Sequence, residues 1–248
     1  MAGTTVRLEV SDGTAWVTLD GPDTRNALDA AASQDLMAVC RTIDDDSTIG
    51  VAVLTGAGGA FCSGADTTVL AGLRDAAPHT AYEGLDELYR AFIRVGSLTV
   101  PTVAAVDGPA VGAGLNLALA TDLRILTERA LLVSGFARVG IHPGGGHLHL
   151  LARAGGAGLA ASSGVFARPI TAHEALTSGV AADVVSPERL HETVTRAVAH
   201  LAADPPLARA LAATLRRTVL DNAVWDRAIE VERARQLWSL SRSRPQEA

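Results

Sequence analysis

Three glycines, Gly108, Gly112 and Gly114, stand between a β-branched run at residues 100–106 and a helical run that begins near Ala113. Glycine lets the backbone approach a ligand closely at such a strand-to-helix turn. The first amides of the helix have no acceptor inside it, and they carry the positive end of the helix dipole. The turn is therefore suited to holding negative charge, although tight strand–helix packing gives the same spacing. It contains neither Gly-x-Gly-x-x-Gly nor a Walker lysine, so phosphate binding of those kinds is not indicated.

A second buried strand, Val51–Gly56, also ends in a turn of small residues, at 58–66. Two such turns could direct two backbone N–H groups at one oxygen. That arrangement is an oxyanion hole, which stabilises a developing enolate or tetrahedral oxyanion. Cys62 in the second turn is interpreted as a small buried thiol rather than a nucleophile, because no base is evident near it in the sequence.

The elements that position these turns follow from periodicity and capping. Asp29 is predicted to cap a helix that ends near Ile43. Thr171 and Glu174 form a capping box at the start of another helix. The remaining predicted elements are strands at 6–10, 15–19, 123–126, 131–134 and 180–185, and helices at 80–95 and from 186 onwards.

Five segments, in this order along the chain, together resemble the enoyl-CoA hydratase/isomerase (crotonase) family. They are residues 25–28, 61–66, 108–118, 140–146 and 175–185. The resemblance covers most of the chain and implies an α/β fold of the crotonase-like (ClpP/crotonase) type. In that fold repeated ββα units form a spiral core, here residues 1–185. A C-terminal helical region, here 186–248, makes trimer contacts and helps to close the acyl pocket.

The resemblance also implies the ligand, an acyl-CoA thioester, with coenzyme A as part of the substrate and no separate cofactor or metal. The positions that match the two oxyanion-hole donors are Ala65 and Ala113. Alanine is acceptable at both because the donors are backbone N–H groups. Arg25 would contact the nucleotide end of coenzyme A, or else be a solvated loop cation. The other substrate-binding positions implied by the resemblance are Ala27, Ser63, Gly64, Asp66 and Gly112, with a structural hydrogen-bonding role as the alternative for Asp66.

The sequence departs from the family where the protons are transferred. Two glutamates do this in a typical hydratase of the family, and the matching positions here are Asn116 and Phe136. Asparagine can hydrogen-bond a water molecule but cannot take its proton, and phenylalanine can do neither. Each general acid–base group contributes about 10²–10⁴ in rate. Ordinary 2-enoyl-CoA hydration is therefore not expected.

Three histidines, His142, His147 and His149, surround the loop that borders the site in the family. Histidine is the most versatile acid–base group near neutral pH, so His142 is a candidate catalytic residue and His147 a second. Ordinary polar roles are the alternative for all three. Ser134 lacks the Gly-x-Ser-x-Gly setting of a hydrolase nucleophile, and that role is not predicted for it.

Two classes of function remain open at this point. The first is an enzyme of acyl-CoA or fatty acid metabolism, a hydratase, isomerase or decarboxylase with an atypical acid or base. The second is a non-catalytic acyl-CoA carrier. A side chain able to exchange protons near the acyl chain would favour the enzyme, and a wholly apolar pocket would favour the carrier.

Composition limits the setting. The chain has 248 residues and a net charge of −6, which argues against non-specific nucleic-acid binding. No uninterrupted apolar run is long enough to span a bilayer, and no secretory signal is evident at the N-terminus. Two cysteines do not form a disulfide framework, so a reducing, cytoplasmic location is expected. The family resemblance implies a homotrimer or a hexamer.

Overall fold

A computed structural model describes residues 3–220 and 222–242. Three parts of the chain lie outside the described residues. They are residues 1–2 of the predicted core and residues 221 and 243–248 of the predicted helical region. The strands are β1 Thr5–Ser11, β2 Thr14–Asp20, β3 Val51–Gly56, β4 Thr102–Val106, β5 Pro109–Val111, β6 Leu123–Thr127, β7 Leu131–Val133, β8 Ile170–Thr171 and β9 Asp183–Val185. The helices are α1 Ala30–Asp45, α2 Thr67–Asp75, α3 Pro78–Gly96, α4 Ala113–Ala120, α5 His147–Leu159, α6 Ala172–Thr177, α7 Leu190–Ala202, α8 Pro205–Thr218 and α9 Asn222–Leu240.

The described strands form a six-stranded sheet in the order β1-β2-β3-β4-β6-β9 and a three-stranded sheet in the order β5-β7-β8. In the larger sheet β1 and β2 are antiparallel, and every later pair is parallel. In the smaller sheet β5 and β7 are parallel, and β7 and β8 are antiparallel. The predicted α/β class is confirmed.

Local capping chemistry fixes two helix starts where the sequence predicts them. The Asp29 carboxylate accepts the Ala32 amide at 2.8 Å, so α1 begins after Asp29 as expected, although it continues past Ile43. The capping box of Thr171 and Glu174 is present at the start of α6. Both signals lie within four residues of sequence, and both predictions are confirmed.

Three strands are shorter than predicted: β7 ends one residue early, at Val133, and two others lose more residues for backbone reasons. The run at residues 100–106 enters the sheet only at Thr102, since Pro101 has no N–H to donate. The strand predicted at 180–185 is β9, which starts at Asp183. The Ala181 amide instead donates to the Ala175 carbonyl at 2.9 Å and closes the turn after α6.

The core is built mainly from alanine, valine and leucine, with a few aromatic side chains such as Phe61 and Phe92 fully buried. Helix α9 packs against α5 and α3. It buries Trp225 and Ile229 and donates the Trp225 indole N–H to the Gly145 carbonyl at 3.1 Å. Helices α7, α8 and α9 follow β9, and β9 ends at the boundary predicted at residue 185. That boundary stays a prediction as a division between domains.

Among the described helices, none is both long enough and apolar enough to cross a membrane.

Candidate active site

The two small-residue turns meet at one cavity of about 310 Å³. Ala65 from the turn at residues 58–66 and Ala113 from the glycine turn before α4 both line it. The turns are joined directly, because the Val111 amide donates to the Cys62 carbonyl at 2.9 Å. The predicted pairing of the two turns around one space is therefore what the fold produces.

The Ala65 amide is turned away from its neighbouring strand bridge. Residue 28 pairs with this turn through two hydrogen bonds, from the Leu28 amide to the Gly64 carbonyl at 2.8 Å and from the Asp66 amide to the Leu28 carbonyl at 3.0 Å. These two hydrogen bonds engage the backbone of Gly64 and Asp66, the residues on either side of Ala65. The N–H of Ala65 itself stays outside the bridge.

The Ala113 amide is the first of helix α4. Its N-cap residue is Gly112, whose φ of 54° lies in the region that glycine tolerates. Gly112 has no side chain to accept the first amides of the helix, so they carry unneutralised positive potential at the cavity.

Glycine is needed where the two turns touch. A Cβ added at Gly114 would lie 2.2 Å from the Cys62 carbonyl oxygen. One added at Gly64, whose φ is 93°, would lie 2.5 Å from the Val111 carbonyl oxygen and 3.3 Å from the Ala113 nitrogen. The close backbone contact between the two turns therefore explains why glycine is needed at both Gly64 and Gly114.

Asn116 and Phe136, where the resemblance implies glutamates, both line the cavity. The Asn116 side chain is buried; its Nδ2 donates to the Gly144 carbonyl at 2.9 Å, and its Oδ1 lies 2.7 Å from Nδ1 of His147. The Phe136 ring packs edge-on to the His147 imidazole, with centroids 4.9 Å apart.

His147 is fully buried at the start of α5, behind the cavity wall. Its Nε2 lies 2.7 Å from Oγ of Ser134. Burial lowers the pKa of His147 to about 3, which keeps the ring neutral at physiological pH. The Glu232 carboxylate of α9 accepts the His147 and Leu148 amides at 2.7 and 2.9 Å, and burial raises its pKa to about 7.

The structure brings only part of the predicted site to the cavity. Ser63, Gly64 and Gly112 line it with the two alanines. Ala27 is buried outside the lining, and Asp66 caps α2 by accepting the Thr68 amide at 2.7 Å. That contact agrees with the structural alternative for Asp66.

Arg25 and His142 also lie outside the lining. The exposed Arg25 is on a loop that packs on the turn at residues 58–66, because its carbonyl accepts the Ser63 amide at 2.9 Å. His142 lines a neighbouring pocket with Trp238, and its Nδ1 lies 2.6 Å from the Pro143 carbonyl. The partly buried His149 is also outside the lining, and burial lowers its pKa.

The sequence analysis does not place the polar side chains of Tyr89, Ser134 and Gln236 in the site, although all three residues line the cavity. Tyr89 on α3 donates a hydrogen bond to Gln236 on α9, so the C-terminal helix supplies part of the wall. The two residues are 147 positions apart, and no local pattern links them. The sequence around Ser134 contains no nucleophile motif, so it gives no local signal for this residue.

In the described part of the chain no carboxylate lines the cavity. The ionisable groups on its wall are Tyr89, whose pKa burial raises, and the exposed Arg138. Cys62 lies close by but is fully buried, and burial raises the pKa of its thiol to about 12, so it is inert. The described residues contain no group of three or more His, Cys, Asp or Glu side chains placed to hold a metal ion.

Comparison with known proteins gives a consistent result. The family model for enoyl-CoA hydratase/isomerase matches residues 9–243. A protein of Mycobacterium tuberculosis named "probable enoyl-CoA hydratase" is 39% identical over 214 residues, which are 86% of this chain and 82% of the relative. A protein of the same name from Rhodobacter capsulatus is 36% identical over 211 residues, 82% of this chain and 77% of the relative. The crystal structure of an enoyl-CoA hydratase from Mycobacterium avium subsp. paratuberculosis superposes with a TM-score of 0.82 at 28% identity, covering 96% of this chain and 94% of the other.

Proposed function

The chain belongs to the enoyl-CoA hydratase/isomerase family, and from that premise we propose that it binds an acyl-CoA thioester and stabilises its enolate on the N–H groups of Ala65 and Ala113. Both the family and its crotonase-like α/β fold were expected from the sequence, and both are confirmed. Coenzyme A enters as part of the substrate, and no separate cofactor is required.

The observation that carries the proposal is that Ala65 and Ala113, the residues to which the two amides belong, line one cavity. Ala65 N–H is left out of its strand bridge, and Ala113 N–H starts a helix with no side-chain cap. Donors already oriented in a site that excludes water stabilise developing negative charge without reorganising. Removal of one such donor typically raises the barrier by about 3 kcal/mol. Arg25, exposed on the loop next to the Ser63 turn, is proposed to contact the nucleotide end of coenzyme A.

Hydration by paired carboxylates does not follow from this site, because Asn116 and Phe136 occupy both positions. The leading proposal is an enzyme of acyl-CoA or fatty acid metabolism with an atypical acid or base, acting as a hydratase, isomerase or decarboxylase. The mostly apolar wall, with Phe92, Val111 and Phe136, favours a second candidate, a non-catalytic acyl-CoA carrier.

Binding tests the proposal first. Butyryl-CoA and octanoyl-CoA should bind in the micromolar range, about −8 kcal/mol, by titration calorimetry. Gly114→Ala should weaken binding by about tenfold, because its new Cβ must push α4 away from the Cys62 carbonyl and separate the two donors. The same overpacking should lower the unfolding free energy by about 1–3 kcal/mol.

Gly72→Ala is the matched control. Gly72 lies inside α2, and an added Cβ there meets nothing within 4 Å. This variant should bind acyl-CoA like wild type and gain about 0.5–1 kcal/mol of stability from helix propensity. If no acyl-CoA of any chain length binds to the wild type, the proposed function is wrong.

We also propose that the chain assembles as a homotrimer or a hexamer through its C-terminal helices. Large apolar side chains are left exposed along α8 and α9 and between them, namely Leu207, Leu211, Val219, Val224, Val231 and Trp238. Large exposed apolar patches mark association sites, so we infer that these side chains contribute to contacts between copies of the chain. Light scattering should give three or six times the chain mass, and a monomer at micromolar concentration would contradict the proposal.

A further inference from the structure

Four buried polar side chains form one hydrogen-bonded chain beside the cavity. Asn116 Oδ1 lies 2.7 Å from His147 Nδ1, His147 Nε2 lies 2.7 Å from Ser134 Oγ, and Ser134 Oγ lies 3.0 Å from Ser163 Oγ. All four residues are at most 2% exposed. Asn116 and Ser134 line the cavity, whereas His147 and Ser163 lie behind it.

The direction of each hydrogen bond follows from the Asn116 amide. Its Nδ2 is engaged by the Gly144 carbonyl at 2.9 Å, so its Oδ1 faces His147 and must accept. The Nδ1 of His147 therefore carries the hydrogen. Since burial keeps the imidazole neutral, with a pKa of about 3, Nε2 is the unprotonated nitrogen. Ser134 donates its hydroxyl hydrogen to Nε2, and Ser163 donates to the Ser134 oxygen.

This order of contacts is the one used by serine hydrolases. There the nucleophile's hydroxyl meets Nε2, while an acceptor on Nδ1–H fixes the tautomer. In papain-like cysteine proteases that acceptor is an asparagine. Such constellations are recognised by geometry rather than by sequence motif. Two members of the network, Asn116 and Ser134, line the same cavity as Ala65 and Ala113, whose amides are the proposed oxyanion donors. A network that only satisfies a core histidine would not need this placement.

We propose that Ser134 is a nucleophile and that the cavity hydrolyses acyl-CoA thioesters through an acyl-serine intermediate. The inference rests on the proposed function in one respect, that an acyl-CoA occupies this cavity. Its thioester oxygen would lie on the Ala65 and Ala113 amides, and the carbonyl carbon would face Ser134.

The steps balance with water as the only co-reactant. Ser134 Oγ bonds to the carbonyl carbon, its proton passes to His147 Nε2, and the carbonyl electron pair moves to the oxygen. Collapse of this tetrahedral intermediate breaks the C–S bond, and the sulfur leaves as the thiol with the proton from Nε2. Water then adds to the acyl-serine ester and gives a proton to Nε2. Collapse releases the carboxylic acid and returns the proton to Ser134.

The same burial that keeps the ring neutral makes His147 a weak base. Proton transfer is most efficient when the pKa of the base is near the working pH. The proton must therefore move in step with bond formation, and slow turnover is expected. Asn116 acts only through His147 and is a positioning residue.

Thiol release from butyryl-CoA and octanoyl-CoA, followed with a chromogenic disulfide, tests the proposal. The two cysteines add little background because both are buried. Ser134→Ala should lower release by at least about 10³-fold and His147→Gln by about 10²–10⁴-fold, with acyl-CoA affinity retained. Asn116→Asp retains an acceptor for Nδ1–H and should release thiol faster than Asn116→Ala. Peptide mapping after rapid quenching should place the acyl group on Ser134.

Ser163→Ala is the matched control, since Ser163 belongs to the same buried cluster but does not line the cavity. It should lower release by less than about tenfold. If acyl-CoA binds and no thiol is released, this inference is wrong and the proposed function stands. If nothing binds, both are wrong. If crotonyl-CoA gives a Ser134-dependent 3-hydroxyacyl product without thiol release, Ser134 moves protons and is not a nucleophile.

Discussion

The wild-type chain should hydrate crotonyl-CoA at least about 10⁴-fold more slowly than an enzyme that uses two carboxylates, because each missing acid–base group is worth about 10²–10⁴. Asn116 and Phe136 both line the cavity. In the described part of the chain no carboxylate lines it, so no other residue there replaces the two missing glutamates. The Asn116 amide is also held by Gly144 and His147, which leaves it unable to activate water. The rate is measured by chromatography of 3-hydroxybutyryl-CoA, which separates hydration from thioester hydrolysis.

Restoring one carboxylate should help little. In Asn116→Glu the new side chain loses the amide that donates to the Gly144 carbonyl, and Phe136 still fills the second position. In Phe136→Glu the ring that covers His147 is removed, while Asn116 still cannot take a proton. The double variant should exceed the product of the two single effects, since the two carboxylates act as a unit.

The matched control is Asn116→Gln with Phe136→Gln, which has side chains of the same length without carboxylates. It should stay at the wild-type rate. The carboxylate pair should lower stability relative to this control because burial and mutual repulsion disfavour two nearby charges. A wild-type rate of about 10 s⁻¹ or more would show that another residue supplies the proton chemistry.

Features set by short-range sequence could be predicted, and they include the frame of the site. The Asp29 cap and the Thr171 capping box are satisfied within four residues of chain. The glycine turns could be recognised because only glycine permits the backbone contacts that Gly64 and Gly114 make. The positions of Asn116 and Phe136 in the lining came from the family resemblance, which preserves register along the fold.

Features set by long-range packing could not be predicted. Gln236 reaches the cavity only because α9 packs back on α3, where Tyr89 meets it across 147 residues. The three histidines look equivalent in sequence, since all lie near a glycine-rich loop. Packing separates them, because His147 points inward to Ser134 and Asn116 while His142 turns to the Pro143 carbonyl.

The same packing makes the buried His147 a source of acid sensitivity. Its pKa is about 3 in the folded protein and about 6.5 when unfolded, so the unfolded chain binds more protons between these values. Stability from this group is fully present above about pH 6.5 and is lost as the pH falls toward 3. The loss at pH 3 should approach about 5 kcal/mol, at 1.36 kcal/mol for each unit. Urea unfolding from pH 3 to pH 8 measures it, and His147→Gln should lack this part of the pH dependence.

Glu232 provides a control of opposite sign. Its carboxylate binds the first amides of α5, and its pKa is raised to about 7, so the folded protein binds more protons between about pH 4.5 and 7. Its contribution is present below pH 4.5 and is lost, by about 3 kcal/mol, as the pH rises through 7. Glu232→Gln should therefore make stability rise more steeply with pH than in wild type, whereas His147→Gln should make it rise less. If both variants change the slope in the same direction, burial of these two groups is not what sets the pH dependence.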